Sequence, residues 1–440
     1  MFFSIGIKPD HKIVRRVSLC SSIARSLSAI ALAAIFVAPV YAQHAVPLTL
    51  AEAEDLALAN EPGRLALQAK AAALSERAIV AGVLPDPMLR LGVNNFPIQS
   101  GGFTTEGMTS AAVAIRQSFP AGNTRSISSM QFEMLASEVN QNADARGRFV
   151  VTAAQSAWLD AYFWTQAHAL VTESRPFFDD LATITRSMYA VGRKNQQDVL
   201  RAELELSRID DRLIEIERQR ARAHAVLGKW VGDNASRPTA TKLPAWDELP
   251  ALTDLLDSLP AHPALMAADA QIAARDAGVD LADERSKPQW ALDLAYSYRD
   301  GSLPNGDPRS DFVSLNVTVG LPFFRKKSVD STLSAALQER SAAQSSKVQI
   351  LRELKSQLEA EFAHWHDLTR RLTLYEERIL GQANDNAQAA LLAYQSDSSD
   401  FADVMRGYID DLNTRIDYIR LRIERAQSYA VLANLGGLPR

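Results

Sequence analysis

The stretch VSLNVTVGLP, residues 313–322, alternates without interruption. Val313, Leu315, Val317, Val319 and Leu321 fall on one side of an extended chain, and Ser314, Asn316, Thr318 and Gly320 on the other. That period of two predicts a β-strand with one apolar and one polar face. Three more stretches share it. Leu89, Leu91 and Val93 alternate with Arg90, Gly92 and Asn94; Ala111, Val113, Ile115 and Phe119 alternate with Ala112, Ala114, Arg116 and Ser118. Trp290, Leu292, Leu294, Tyr296 and Tyr298 oppose Gln289, Asp293, Ala295, Ser297 and Arg299. Nothing else in the 440 residues reads as a sheet former.

Each strand is roughly ten residues, the length a tilted strand needs to cross a bilayer. Aromatic residues gather towards the ends (Phe96, Phe119, Trp290, Tyr296, Tyr298, Phe312, Phe323), as at membrane interfaces. Two hairpins on a soluble core are the competing reading. They account for one wet face, but poorly for the charges Arg90, Arg116, Asp293 and Arg299 opposite large apolar residues, with no other segment free to cover a sheet. In lipid every backbone group must be paired, so an open four-stranded sheet cannot span alone. Single-chain outer-membrane barrels begin at about eight strands, so several chains would have to close one barrel. Its lumen would carry Arg90, Asn94, Arg116, Asp293, Arg299 and Asn316.

The N-terminus agrees with an exported protein. Lys12, Arg15, Arg16 and Arg25 precede an apolar run from Leu27 to Ala38, and Val40-Tyr41-Ala42 has the small-x-small form of a cleavage site. Residues 1–42 are expected to be a signal peptide, cut after Ala42. The apolar run is too short for a membrane-spanning anchor. The single cysteine, Cys20, precedes that run, so the mature chain is expected to hold no thiol, disulfide or thiolate metal site. Loss of five Lys/Arg and one Asp leaves 42 basic against 51 acidic residues, a balance of −9 that argues against a nucleic-acid partner. No later run is long and apolar enough for a transmembrane helix.

The remainder repeats itself. EPGRLALQAKAAA (61–73) matches HPALMAADAQIAA (262–274) at an offset of 201, which also carries Pro87 onto Pro288. YAVGRKNQQDVLR (189–201) matches YQSDSSDFADVMR (394–406) at 205, as AVLGKWVG (225–232) does AVLANLGG (430–437). Two copies at that separation mark a duplicated unit rather than a solenoid. The boundaries expected are 43–232 for the first repeat, with strands at about 87–96 and 109–119. A linker follows at 233–250, where Pro238, Pro244 and Pro250 cluster; the second repeat is 251–440, with strands at about 288–299 and 311–321. Each repeat reads helix, strand, strand, very long helix, tip, long helix. The helical stripes step alternately by three and four: Val199, Ala202, Leu206, Ile209, Leu213, Ile216; Leu351, Leu354, Leu358, Trp365, Leu368, Leu372, Tyr375, Ile379; and Met405, Ile409, Leu412, Ile416, Ile419, Ile423. A 3.5-residue repeat held so long imposes a left-handed coiled coil. The span from about Thr124 to Ser187 is expected to be one helix kinked at Pro176.

Together the duplication, the strand starts LPDP (84–87) and SKP (286–288), the strand ends SFP (118–120) and GLPF (320–323), and the tip motif Tyr189, Gly192, Asp198, Val199, Leu200 resemble the TolC-like outer-membrane efflux family over the whole mature chain. PDPMLRLGVNNFP (85–97) is most similar to its heavy-metal branch. The resemblance implies a mainly α fold with membrane β: long coiled-coil helices forming a periplasmic α-barrel, and four strands per chain in a twelve-stranded outer-membrane β-barrel shared by a homotrimer. It implies a gated conduit without enzymatic activity, set in outer-membrane lipid, docked on a periplasmic adaptor and an inner-membrane pump, often proton-driven and of the RND type. Carried onto this chain, the tip or gate residues are Tyr189, Asp198 and Arg201 with Tyr394, Asp403 and Arg406. Asp397 replaces the motif glycine in the second copy and Met405 the leucine; Asp397, Asp400 and Asp403 then form an acidic cluster that symmetry would multiply around a pore, where carboxylate rings favour cations. Capping of a helix start by Ser398, Ser399 and Asp400 is the simpler reading of the same residues.

No catalytic, cofactor or metal motif is expected. P-loop, G-x-G-x-x-G, H-E-x-x-H and G-x-S-x-G patterns are lacking. His364 and His366 are spaced for different helix faces, and Met130 and Met134 for core packing. Two other readings stay open. The same architecture serves as the outer-membrane duct of type I protein secretion, and a soluble periplasmic adaptor also has a long helical hairpin, though a single one flanked by many short strands.

Overall fold

A computed structural model describes residues 46–59, 61–321, 323–396 and 398–438. The expected signal peptide with its cleavage at Ala42, and Asp397, lie outside the described residues. The order is α1 (Leu50–Ala59), α2 (Pro62–Gly82), β1 (Met88–Asn94), β2 (Ser110–Phe119), α3 (Thr124–Ala190) and α4 (Gln196–Val231). Then come α5 (Leu252–Ser258), α6 (Pro263–Glu284), β3 (Gln289–Tyr298), β4 (Phe312–Gly320), α7 (Lys326–Leu374), α8 (Leu380–Gln395) and α9 (Phe401–Gly436). α3 has 67 residues, about 100 Å at 1.5 Å per residue, and stays helical through Pro176.

The strands form one antiparallel sheet in the order β1-β2-β3-β4. Its register puts Leu91, Val113, Tyr296 and Val313 in one row and Arg90, Ala114, Ala295 and Ser314 in the next. Rows alternate in chemistry across all four strands, as the period of two requires. Next to the sheet the wall is α2 against α3, α3 against α6, and α6 against α7. Farther along, α4 packs on α3, and α9 packs on α3, α7 and α8.

Caps and heptads explain the helices. α2 and α6 both begin with Pro, whose missing N–H costs nothing at the first helical position. Their N-caps, Glu61 and His262, are one repeat offset apart. Glu61 accepts from the Arg64 N–H and pairs with Arg146 at 2.7 Å; His262 Nδ1 accepts from the Ala264 N–H at 3.2 Å. Along α4 the buried residues Ala202, Ile209, Ile216 and Ala223 are spaced by seven. α7 buries Leu358, Trp365 and Leu372 at the same spacing, whereas Leu351, expected on that stripe, is exposed. Between α7 and α8, Tyr375–Ile379 form one π-helical turn. The next buried residues, Ala387 and Tyr394, are seven apart but fifteen and twenty-two beyond Leu372. The π turn therefore adds one residue to the repeat and shifts the stripe by that amount.

Residues 233–250 are packed, not free. Leu48 bridges Thr239 in parallel, Arg237 binds Glu52 at 2.6 Å, and Trp246 stacks on Tyr429 at 4.8 Å. Two cores lie beside them. Leu48, Leu50 and Ala53 bury against Trp158, Leu159 and Tyr162 of α3, whose indole N–H donates to the Leu48 carbonyl at 2.9 Å; Leu255 and Leu259 bury with Leu358, Trp365 and Leu432.

Candidate functional site

The sheet and the far ends of the long helices carry the residues singled out from sequence. On the polar face of the sheet, Met88, Arg116, Asp293 and Asn316 occupy one row. Arg116 and Asp293 are direct cross-strand partners, 4.0 Å apart between charged atoms, and Asp293 is buried on that face. Arg90 and Asn94 lie on the same face of β1, opposite Ala114 and Ser110. Arg299 directly follows β3. β3 ends at Tyr298, and the Arg299 guanidinium donates to the carbonyls of Ser310 and Gly107 while resting 3.9 Å over the Phe312 ring. It therefore ties the two strand-connecting loops. Arg309 does the same, donating to the carbonyls of Thr104, Glu106 and Asp300 at 3.2–3.3 Å. No sequence pattern signals this, because carbonyl acceptors belong to every residue type.

The opposite face is apolar and open. Leu89, Leu91, Val313, Leu315 and Val317 are each more than half exposed in the single chain. At its helix-side end Phe119 stacks on Trp290, ring centroids 4.0 Å apart. An apolar face this continuous is what a lipid-facing surface requires. Among the described residues no helix is long and apolar enough to cross a membrane.

At the tip the two motif copies are not equivalent. Tyr189 closes α3 and is exposed; Tyr394 closes α8, is buried, and meets Phe401 edge-on at 5.5 Å. The Lys194 ammonium sits 4.3 Å over the Tyr394 ring, so the first tip grips the aromatic of the second. Asp198 lies in the first turn of α4 and Asp403 in that of α9, where carboxylates favour the helix dipole. Asp403 pairs with Arg406 at 3.2 Å, both exposed, whereas Asp198 and Arg201 are not brought together. Asp400 is the N-cap residue of α9, but its side chain makes no cap bond. Ser398 instead closes the turn by donating to the Ala393 carbonyl.

Above the tip the two helix pairs are joined by contacts that sequence reading missed. Arg212 donates to Asn413 at 2.7 Å, and Phe177 meets Tyr408 at 3.9 Å between ring centres. Burial lowers the Arg212 pKa, partly offset by Asp417. Within the first pair Arg175 binds Asp210 at 2.6 Å and holds its carboxyl below the usual range. α8 and α9 pack tightly at Gly407, where an added Cβ would stand 3.1 Å from the Ala387 Cα. Only a small residue fits there. No cluster of His, Cys, Asp or Glu suited to a metal ion occurs among the described residues.

Similar arrangements are known in solved structures. CusC, studied for the conformational changes of folding and transmembrane channel formation, superposes with a TM-score of 0.75 at 15% identity, over 89% of this chain and 93% of its own. The outer membrane protein VceC of Vibrio cholerae gives 0.72 at 15%, over 88% and 96%. The open state of the MtrE outer membrane channel of Neisseria gonorrhoeae gives 0.69 at 15%, over 88% of each chain. No curated protein sequence matches the chain. The fold is thus that of TolC-like outer-membrane channels. Residues 256–438, most of the second half, match the family model of the outer membrane efflux proteins.

Proposed function

We propose that three copies of the chain form the outer-membrane duct of a tripartite efflux system. One observation carries the reading: a four-stranded sheet with an apolar outer face and two unpaired edges, β1 and β4, joined end-on to helices about 100 Å long. Edge pairing of β4 with β1 of the next copy satisfies the backbone groups that lipid cannot. Three such sheets make a twelve-stranded barrel, and the helices continue it as a tunnel into the periplasm.

The polar row Arg116–Asp293–Asn316, with Arg90 and Asn94, then lines the water-filled lumen. The tips form the periplasmic gate: Tyr189, Asp198 and Arg201 from the first helix pair, Tyr394, Asp400, Asp403 and Arg406 from the second. The duct works with a periplasmic adaptor and an inner-membrane pump, which we place in the proton-driven RND class on family grounds. It performs no chemistry; cargo selection rests with the pump. The heavy-metal branch remains a reading from PDPMLRLGVNNFP and from the likeness to CusC. The first and second repeats, 43–232 and 251–440, would each supply one hairpin and one helix pair.

Separation of membranes from a producing cell is the test. The mature chain should be found in the outer-membrane fraction and run as a trimer on a gel unless boiled. A soluble periplasmic monomer would instead make it an adaptor-like protein. Drug and metal sensitivity of a deletion strain, with protein secretion intact, separates efflux from type I secretion.

A further inference from the structure

We infer that the junction of sheet and helices holds a binding site for small oxyanions, phosphates or carboxylates, facing the water-filled passage. This rests on the reading of the chain as a duct. A cavity of about 510 Å³ lies where β2 and β4 end, β3 begins, and α3 and α7 start. From the sheet it is lined by Gln289 and Gly320, register partners on the face that carries Asp293 and Asn316. Gly320 leaves the space that the Gln289 side chain uses, since an added Cβ would stand 3.2 Å from the Gln289 Cγ. The cavity thus belongs to the polar side of the sheet, away from the stacked Phe119 and Trp290.

Three cations line it, Arg285, Lys287 and Arg325, and no carboxylate does. Lys287 is held by Glu284 at 2.6 Å, and Glu284 also accepts from the Asn123 N–H at 2.9 Å. The intervening Gly122, at φ +46°, leaves no room for a Cβ beside that carboxylate, so the pair fixes the turn between β2 and α3. Arg285 and Arg325 form no ion pair among the described residues and remain for a ligand. Thr124 and Thr332 spend their hydroxyl protons on the Ala121 and Ser328 carbonyls, at 2.6 and 2.8 Å. The donors left on the cavity wall are the two guanidinium forks, the Gln289 amide and the Ser328 hydroxyl. Planar guanidinium forks match the paired oxygens of a phosphate or carboxylate.

Charge balance points the same way. The chain as a whole is acidic, with a formal net charge of −5, and this cavity runs against that balance. Farther into the sheet Arg116 is offset by Asp293 across the strands. At the junction the two arginines are not offset, and three copies would set six such cations around one passage. Fixed Arg and Lys rings concentrate anions in a pore and repel cations.

The test adds sodium pyrophosphate at low ionic strength to the full-length trimer in two ways. Titration calorimetry in detergent should show binding, and single-channel current in a planar bilayer should fall when pyrophosphate enters from the sheet side. In the double variant Arg285→Gln/Arg325→Gln the half-saturating concentration should rise about tenfold in both measurements, from the loss of two charge-assisted contacts, while the boil-sensitive trimer persists. Lys287 is left in place to preserve the turn. Gln289→Glu, which sets a carboxylate among the arginines, should weaken binding with all three cations intact. Equal half-saturation in wild type and double variant would overturn the proposal. So would calorimetric binding that leaves the current unchanged, since the anion would then sit outside the passage. Failure to form a trimer or a conducting channel would refute the duct itself, a result distinct from a channel indifferent to pyrophosphate.

Discussion

Two residues that occupy the same place in the two halves, Glu61 and His262, cap their helices by different chemistry and respond to acid in the same direction. Burial, with a contribution from Arg148, lowers the His262 pKa from 6.5 to about 4, and only the neutral ring can accept from the Ala264 N–H. The unfolded chain therefore takes up a proton first as pH falls. The stability that His262 helps maintain is whole above about pH 6.5 and is lost towards pH 4, on the order of 3 kcal/mol. Glu61 is held below its usual range chiefly by Arg146, so its contribution is present above the ordinary carboxylate pKa and is lost below it. His262→Asn keeps an acceptor but does not titrate. The trimer's thermal midpoint should then change little between pH 6.5 and 5, where wild type declines. At the tip, Asp403 is exposed and, among the described residues, paired only with Arg406, which leaves its carboxylate available to the proposed pore-lining ring. Asp403→Ala should raise single-channel conductance in planar bilayers; an unchanged value removes it from the gate. The motif made Asp403 visible in the sequence. The grip of Lys194 on Tyr394 was not, because the two residues come from different repeats.

The strands were legible almost to their ends because a period of two is unambiguous where one face is apolar. β2, Ser110–Phe119, and β4, Phe312–Gly320, lie within a residue of the limits the alternation sets, 109–119 and 311–321. Helical stripes were legible in spacing but not in phase. Tyr375 and Ile379 continue the heptad written from Leu354, yet they fall in the π turn, and the buried stripe resumes at Ala387. A sequence reader could find the added residue only by noticing that Tyr394 is out of step with Leu372. Deleting Glu377 should turn the π turn into α-helix, bring Ala387 from fifteen to fourteen residues beyond Leu372, and leave the trimer intact. Deleting Glu361 instead rotates Trp365, Leu368 and Leu372 off the core and should abolish it. Trimer yield on an unboiled gel reads both. α1, α5 and the packing of residues 233–250 were missed, since short segments carry too few periods to register.

At the scale of the whole molecule, the chain leaves two faces that it cannot satisfy itself: an apolar surface on the sheet and the open edges of β1 and β4. The expected export signal, the internal sequence repeat and the strand count made that incompleteness legible from sequence. The contacts that join the two halves were not, because Arg212–Asn413 and Phe177–Tyr408 depend on how the stripes rotate into register. In the proposed duct the sheet divides lipid from a water-filled passage. Because Cys20 is the only cysteine and falls in the expected signal peptide, single cysteines can be placed along β4 without a competing thiol. In outer membranes, a water-soluble maleimide should label cysteines at 314, 316 and 318 and spare those at 315, 317 and 319. Equal labelling at all six positions would contradict the account.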